Sequence, residues 1–92
     1  MIKNFYVVCF KETTNDNGVI NTESGVCDYG YLNEEDAIQK VYELTDERLN
    51  DNLDLVDEGK CYRDSNENGD WQMVTVYDYT YEYWVSKIGV EV

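Results

Sequence analysis

Hydrophobic positions crowd the start of the chain. Asn4 to Glu12 reads NFYVVCFKE, placing Phe5, Val7 and Cys9 on one side of an extended backbone and Tyr6, Val8 and Phe10 on the other. A strand that is apolar on both sides is predicted to run through the middle of a sheet. Asn15-Asp16-Asn17-Gly18 follows, a run of residues that tolerate positive φ, and Val19-Ile20 with the stretch Val26 to Leu32 supplies a returning strand. The pattern predicts an antiparallel hairpin, bulged near Gly25.

The period then changes from two to 3.6. Asn33 can cap free amides, Glu34, Glu35 and Asp36 suit the positive end of a helix dipole, and Leu32 can fold back toward Ala37. Ile38, Val41, Tyr42, Thr45 and Leu49 recur as the core stripe of the helix, with Asp36, Lys40, Glu43, Glu47 and Asp54 on its outer side. Leu53 and Leu55-Val56 extend the helix, and Gly59 ends it. Lys60 to Asp70 is polar and turn-rich, with Cys61-Tyr62 as a short strand or anchor.

Trp71 to Val92 returns to strand formers and reads as two strands, the last from Tyr83 to Val92. If it were unbroken, Met73, Thr75, Tyr77, Tyr79, Tyr81 and Tyr83 would share one side; a turn near Asp78 to Thr80 would redistribute them. The order of elements predicts a single α+β domain over residues 1–92, an antiparallel sheet of about four strands (β-β-α-β-β) with one helix packed on a face. Long sheet edges invite pairing and leave a homodimer open.

Composition adds what the pattern lacks. Apolar residues at 42% and aromatics at 14% of 92 residues give enough area for one modest core and exclude a disordered acidic tail. No run approaches the roughly 18 apolar residues of a membrane span, the N-terminus lacks a leader-like apolar region, and three cysteines suit reduced thiols. A cytoplasmic protein is the expectation. Cys9 and Cys27 approach across the predicted hairpin, where a disulfide is one option and a pair of buried thiols the other.

The absence of His removes Cys-His and Ser-His nucleophile pairs, His metal sites and the usual general base near neutral pH. No C-x-x-C, P-loop or G-x-G-x-x-G occurs, and twenty acids offer so many carboxylate pairs that none stands out. Asp64-Ser65-Asn66-Glu67-Asn68-Gly69-Asp70 opens like a calcium loop, but its twelfth position is Thr75 and strand formers replace the exiting helix, so a plain polar turn is the expectation. A non-enzymatic protein without cofactor or metal follows.

Charge is the remaining signal. Twenty Asp and Glu against seven Lys and Arg give a net charge of −13, and Asn33 to Asp70 holds thirteen acids and four bases, net −9. Such a surface repels nucleic acid and anionic membrane and attracts basic protein surfaces. On a helix, Asp36 to Glu43 spans about 10 Å and Glu43 to Glu47 about 6 Å, steps compatible with those between duplex phosphates. The same acids also read as a solvated outer face, the plainer of the two readings. Asp36, Glu43, Glu47, Asp54, Asp64, Glu67 and Asp70 are the candidate contacts. Nine tyrosines are too many for so small a core, so Tyr79 and Tyr81 join them as exposed aromatic contacts beside Asp78 and Glu82.

The succession NFYVVCF, hairpin, YLNEEDAIQKVYEL and terminal YEYWVSKIGVEV resembles small proteins of phages and mobile elements. Size and acidity are similar to phage-encoded inhibitors of host defence, including anti-CRISPR and anti-restriction proteins, several of which mimic nucleic acid. The resemblance implies an inhibitor in the host cytoplasm that occupies the basic groove of a nucleic-acid-binding enzyme without touching nucleic acid or membrane. The alternative is a self-associating interaction module that uses a Tyr-rich sheet.

Overall fold

The first turn follows from its residues. In the computed structural model, which describes residues 1–91, β1 (Ile2–Asp16) and β2 (Val19–Tyr31) join at Asn17 and Gly18, both at positive φ (53° and 86°), and the Gly18 N–H donates to Asn15 Oδ1 at 3.1 Å. Asn and Gly adopt this backbone at least cost, so the pair closes a two-residue hairpin. The bulges lie elsewhere than at Gly25, which stays in register opposite Phe10; the extra residues of β2 are Cys27 and Gly30. Gly25 serves packing instead, since a Cβ there would stand 3.3 Å from the Phe10 ring.

Helix α1 (Glu34–Asn50) starts at its predicted cap: Asn33 Oδ1 accepts the Asp36 N–H at 2.9 Å, and the Asn33 amide donates back to the Asp36 carboxylate at 3.0 Å. Leu32 does not fold back on Ala37 but stays 65% exposed. The helix also stops earlier than its sequence suggests. Asn52 leaves helical geometry and its Nδ2 donates to the Arg48 carbonyl at 2.7 Å, satisfying one of the free carbonyls of the last turn. Leu53–Asp57 therefore forms a separate short helix, α2, which ends at Gly59 with φ 73° and a Lys60 N–H to Leu55 carbonyl bond of 2.8 Å.

Three strands complete the sheet: β3 (Cys61–Ser65), β4 (Trp71–Val76) and β5 (Tyr79–Glu91); Val92 lies outside the described residues. The order is β2-β1-β5-β4-β3, antiparallel throughout, so β1 is interior as its two apolar sides predict. The sheet has five strands rather than about four, because Cys61-Tyr62 grows into an edge strand whose Arg63-Asp64-Ser65 remain solvated. Polar composition is what an edge strand tolerates and what hides it from pattern reading.

The β4–β5 turn falls at Tyr77 and Asp78, just ahead of the expected Asp78–Thr80, so the last strand starts at Tyr79 rather than Tyr83 and the parity of an unbroken strand is not kept. Val76 pairs with Tyr79, so Tyr79, Tyr81 and Tyr83 share a face with Val74 and Val76, not with Met73 and Thr75. Tyr77 sits at φ 54° with its side chain 57% exposed, a backbone that β-carbon sterics penalise by about 1–2 kcal/mol. Its ring lies 5.7 Å from the Lys60 ammonium, a weak exposed contact. Tyr77→Asn is expected to stabilise the domain by about 0.5–1 kcal/mol, because Asn visits this region readily. Urea midpoints measure it, and an unchanged or lower midpoint would show that the Tyr77–Lys60 contact outweighs the strain.

All helical packing is on one face. Val8, Ala37, Val41 and Tyr83 form one core cluster and Cys61, Val74 and Val76 a second, under Leu49, Leu55 and Val56, with half-buried Tyr81 touching both. The buried helix positions are Ala37, Val41 and Thr45, a stripe rotated from the predicted one so that Ile38, Tyr42 and Leu49 flank it. Between helix and sheet runs a polar chain. Arg63 Nη1 donates to Thr45 Oγ1 at 3.2 Å, Thr45 Oγ1 lies 2.8 Å from Gln72 Oε1, and Gln72 Nε2 donates to the Gly69 carbonyl at 3.0 Å. Gln72 has no exposed surface.

The opposite face carries no helix among the described residues. Register places side chains there in rows across the strands: Val26, Cys9, Trp84 and Trp71; then Ser24, Lys11, Glu82, Met73 and Asp64; then Thr22, Thr13, Thr80, Thr75 and Tyr62. Phe5, Val7 and Ile88 extend it toward the chain termini.

Candidate protein interaction surface

Arg48 shows how the helix side is organised. It lies on the flank of α1 that faces β1 and β5, where its Nη2 donates to Glu12 at 3.0 Å, its Nε donates to the Tyr83 hydroxyl at 3.1 Å, and its guanidinium carbon stands 3.9 Å from the centre of the Tyr81 ring. Burial pushes the Tyr83 phenol up, and Arg48 counters part of that shift. The positive charge of the last helical turn is thus turned down into the sheet. Glu47 and Asp51, with Leu44, Arg48 and Tyr83, rim a shallow cavity of about 250 Å³ above it.

Along the same flank, helical spacing brings three predicted contacts into one exposed strip: Asp36, Glu43 and Glu47. Asp51, at the helix C-cap, continues the strip one turn past Glu47, and Asp54 follows in the first turn of α2. Lys40 Nζ is 4.0 Å from Glu43; among the described residues no cation is within salt-bridge distance of Asp36, Glu47, Asp51 or Asp54. The other bases of this side are occupied elsewhere, Lys60 by Glu58 at 3.0 Å and Arg63 by Asp46 at 2.5 Å. Asp51 was absent from the sequence expectation, although its four-residue step from Glu47 is the signal that finds it. The field of the strip reaches the sheet: burial and the hydrogen bond to Asp28 push the Tyr31 phenol up to about 12, with the Glu43 charge adding to the shift.

The remaining candidates lie apart from the strip. Asp64 pairs with Met73 and so projects from the helix-free face, while Glu67 and Asp70 belong to the β3–β4 turn at the sheet edge farthest from β2. Asn66 Nδ2 donates to the Asp70 carboxylate, the Asn66 side-chain oxygen accepts the Trp71 N–H at 3.2 Å, and Asp64 to Asp70 makes a tied polar turn. Among the described residues no group of three or more Cys, Asp or Glu side chains converges as metal ligands.

The two tyrosines are also redistributed. Tyr81 lies beneath Arg48 and packs on both core clusters, and the Tyr79 hydroxyl donates to Asp16 at 2.6 Å. The turn at Tyr77-Asp78 carries them to the helix-covered face, so the exposed aromatic strip expected beside Asp78 and Glu82 does not form; Glu82 projects from the other face with Trp84. Cys9, Cys27 and Cys61 are free thiols. The bulge removes Cys27 from register with Cys9, whose sulfur lies 3.8 Å from Ser86 Oγ while the Cys27 thiol donates to the Val8 carbonyl at 3.4 Å.

In comparisons with known proteins, no family model matches the chain, and no curated protein or solved structure matches it. No helix is long and apolar enough to cross a membrane. The fold is an α+β domain with an antiparallel sheet, one long helix on one face, and an anionic strip along that helix.

Proposed function

We propose that this domain is a non-catalytic, phage-type inhibitor whose acidic helix side occupies the basic nucleic-acid groove of a host defence enzyme. The observation that carries the reading is charge segregation. By register, the helix-free face bears Lys3, Lys11, Asp64 and Glu82, which cancel, so the net charge of −13 resides entirely on the helix side, the edges and the turns. Carboxylates about 6 Å and 10 Å apart on a rigid helix can meet guanidinium and ammonium groups that otherwise hold phosphates. Asp36, Glu43, Glu47, Asp51 and Asp54 are the primary contacts, and desolvation of the rim cavity by a partner's Arg or Lys would strengthen them.

The test is binding to purified CRISPR effectors and restriction endonucleases in competition with duplex DNA. Affinity is expected to fall steeply as salt rises, DNA is expected to displace the protein, and Glu43→Gln with Glu47→Gln is expected to weaken binding by about tenfold, roughly 1.4 kcal/mol. Asp64→Asn with Glu67→Gln, on the far edge, is expected to change it by less than about twofold. Binding that is indifferent to salt, or a complex that coexists with DNA in the groove, would overturn the mimic mechanism.

A further inference from the structure

We infer that the helix-free sheet face is a self-association surface, covered in solution by the same face of a second copy of this chain. This inference is independent of the acidic strip and rests on what the opposite side displays.

Three features of the face select a second copy. It carries no net charge in a strongly acidic molecule, so two copies meeting here turn their acidic helices outward on opposite sides, where mutual repulsion is weakest. Its few charges are sorted by strand: Lys3 and Lys11 stand on β1, whereas Glu82 stands on β5 and Asp64 on β3. A two-fold axis parallel to the strands and lying between β1 and β5 sets Lys11 of one copy opposite Glu82 of the other, and does so twice, which is the self-complementarity an isologous contact requires. The third feature is apolar content. Trp71 and Trp84 are direct cross-strand partners, with Met73, Val26 and Ile88 around them, and the last two are 51% and 44% exposed. Aromatic residues and Met in a protein surface are the side chains that protein interfaces enrich.

The size also fits. The β1–β5 ladder runs from the Ile2–Glu91 pair to the Thr13–Thr80 pair, about 40 Å long, and the four spacings across the sheet give about 20 Å of width. Because β3 and β4 flank only the Tyr79–Trp84 half of that ladder and β2 reaches β1 only from Tyr6 onward, the face outlines roughly 600–700 Å², at the lower end of what one partner contributes to a stable interface.

The experiment is sedimentation velocity over a wide concentration range, with Trp quenching by acrylamide in parallel. Both tryptophans lie on this face, so their quenching reports its coverage directly. Wild type is expected to form a dimer with concentration, with Trp quenching falling in step. Val26→Lys with Ile88→Lys, both exposed positions whose replacement leaves the core intact, is expected to weaken the dimer by at least about tenfold, or about 1.4 kcal/mol. Because these changes lower the net negative charge, relief of repulsion alone would act the other way. Edge pairing through β2 predicts a dimer whose Trp quenching does not change. A monomer at high concentration and high salt, a dimer unaffected by the two lysines, or a dimer with fully quenchable tryptophans would each overturn the inference. Should the lysine pair fail to fold by circular dichroism, the wild-type quenching series decides the question alone.

Discussion

Gln72→Glu is expected to destabilise the domain by about 3–5 kcal/mol at neutral pH, and Gln72→Leu by about 1–3 kcal/mol. Gln72 is the largest side chain with no exposed surface, and both ends of its amide are engaged: the oxygen with the Thr45 hydroxyl, the nitrogen with the Gly69 carbonyl. Leu fills a similar volume but leaves the Gly69 carbonyl without its donor. Glu keeps the shape and adds a buried charge, and Arg63, which reaches the Thr45 hydroxyl of the same chain, is already committed to Asp46. The two variants also separate with pH. Burial raises the folded-state pKa of the introduced carboxyl above its unfolded value, so its stabilising protonated form is fully present below that unfolded value and is lost as pH rises through the folded one. Gln72→Glu should therefore regain stability relative to wild type on acidification, whereas Gln72→Leu should not. Urea unfolding at neutral and mildly acidic pH measures both, and equal costs for Glu and Leu at neutral pH would mean that this position is wet.

Gly69→Ala is expected to cost about 2–3 kcal/mol, roughly double the cost of Gly59→Ala. Both glycines have positive φ, 79° and 73°, so the backbone penalty is shared. They differ in surroundings: a Cβ at Gly59 meets nothing within 4 Å, whereas one at Gly69 would stand 2.7 Å from the Tyr42 hydroxyl oxygen and 2.9 Å from its ring. Tyr42 is the side chain that must move, and it packs under the Arg63 guanidinium at 5.6 Å, on the flank of the Thr45–Gln72 chain. Tyr42→Phe in the Gly69→Ala background removes the closest atom and should recover part of the loss, by about 0.5 kcal/mol or more. Thermal melts of the four proteins close this cycle. Equal costs at positions 59 and 69 would show that strain alone, and not the Tyr42 contact, explains the glycine.

These two sites show what a calcium-like sequence does for the fold. Asp64 to Asp70 carries oxygen-rich side chains because the turn needs them to tie its own backbone, and Gly69 ends it because Tyr42 occupies the space a side chain would take. The glycine was legible as a turn residue. Its partner was not, since Tyr42 lies on another element.

The hairpin at Asn17-Gly18, the Asn33 cap and the interior place of β1 could be read in advance because each depends on residues adjacent in the chain: positive-φ residues, a capping oxygen, and apolar side chains on both sides of one strand. The outer acids of α1 were legible for the same reason, helical spacing being a local property. The position of the β4–β5 turn was not, because Tyr77 adopts a left-handed backbone that its residue type does not announce; long-range pairing of Val76 with Tyr79 imposes it. That single turn puts Tyr79 and Tyr81 on the helix-bearing face of the sheet and leaves Trp71 and Trp84 side by side on the opposite face.

By itself, then, the order of residues determined an acidic α+β domain with a capped helix and a sheet beginning in a hairpin, since period, capping and charge act within a few residues. Tertiary structure alone decided that Asp64, Glu67 and Asp70 stand apart from the helix strip and which aromatic side chains are covered. Strand register and the rotation of a helix about its axis are settled by packing between distant segments, and a one-residue change in register exchanges every side chain between the two faces of a sheet.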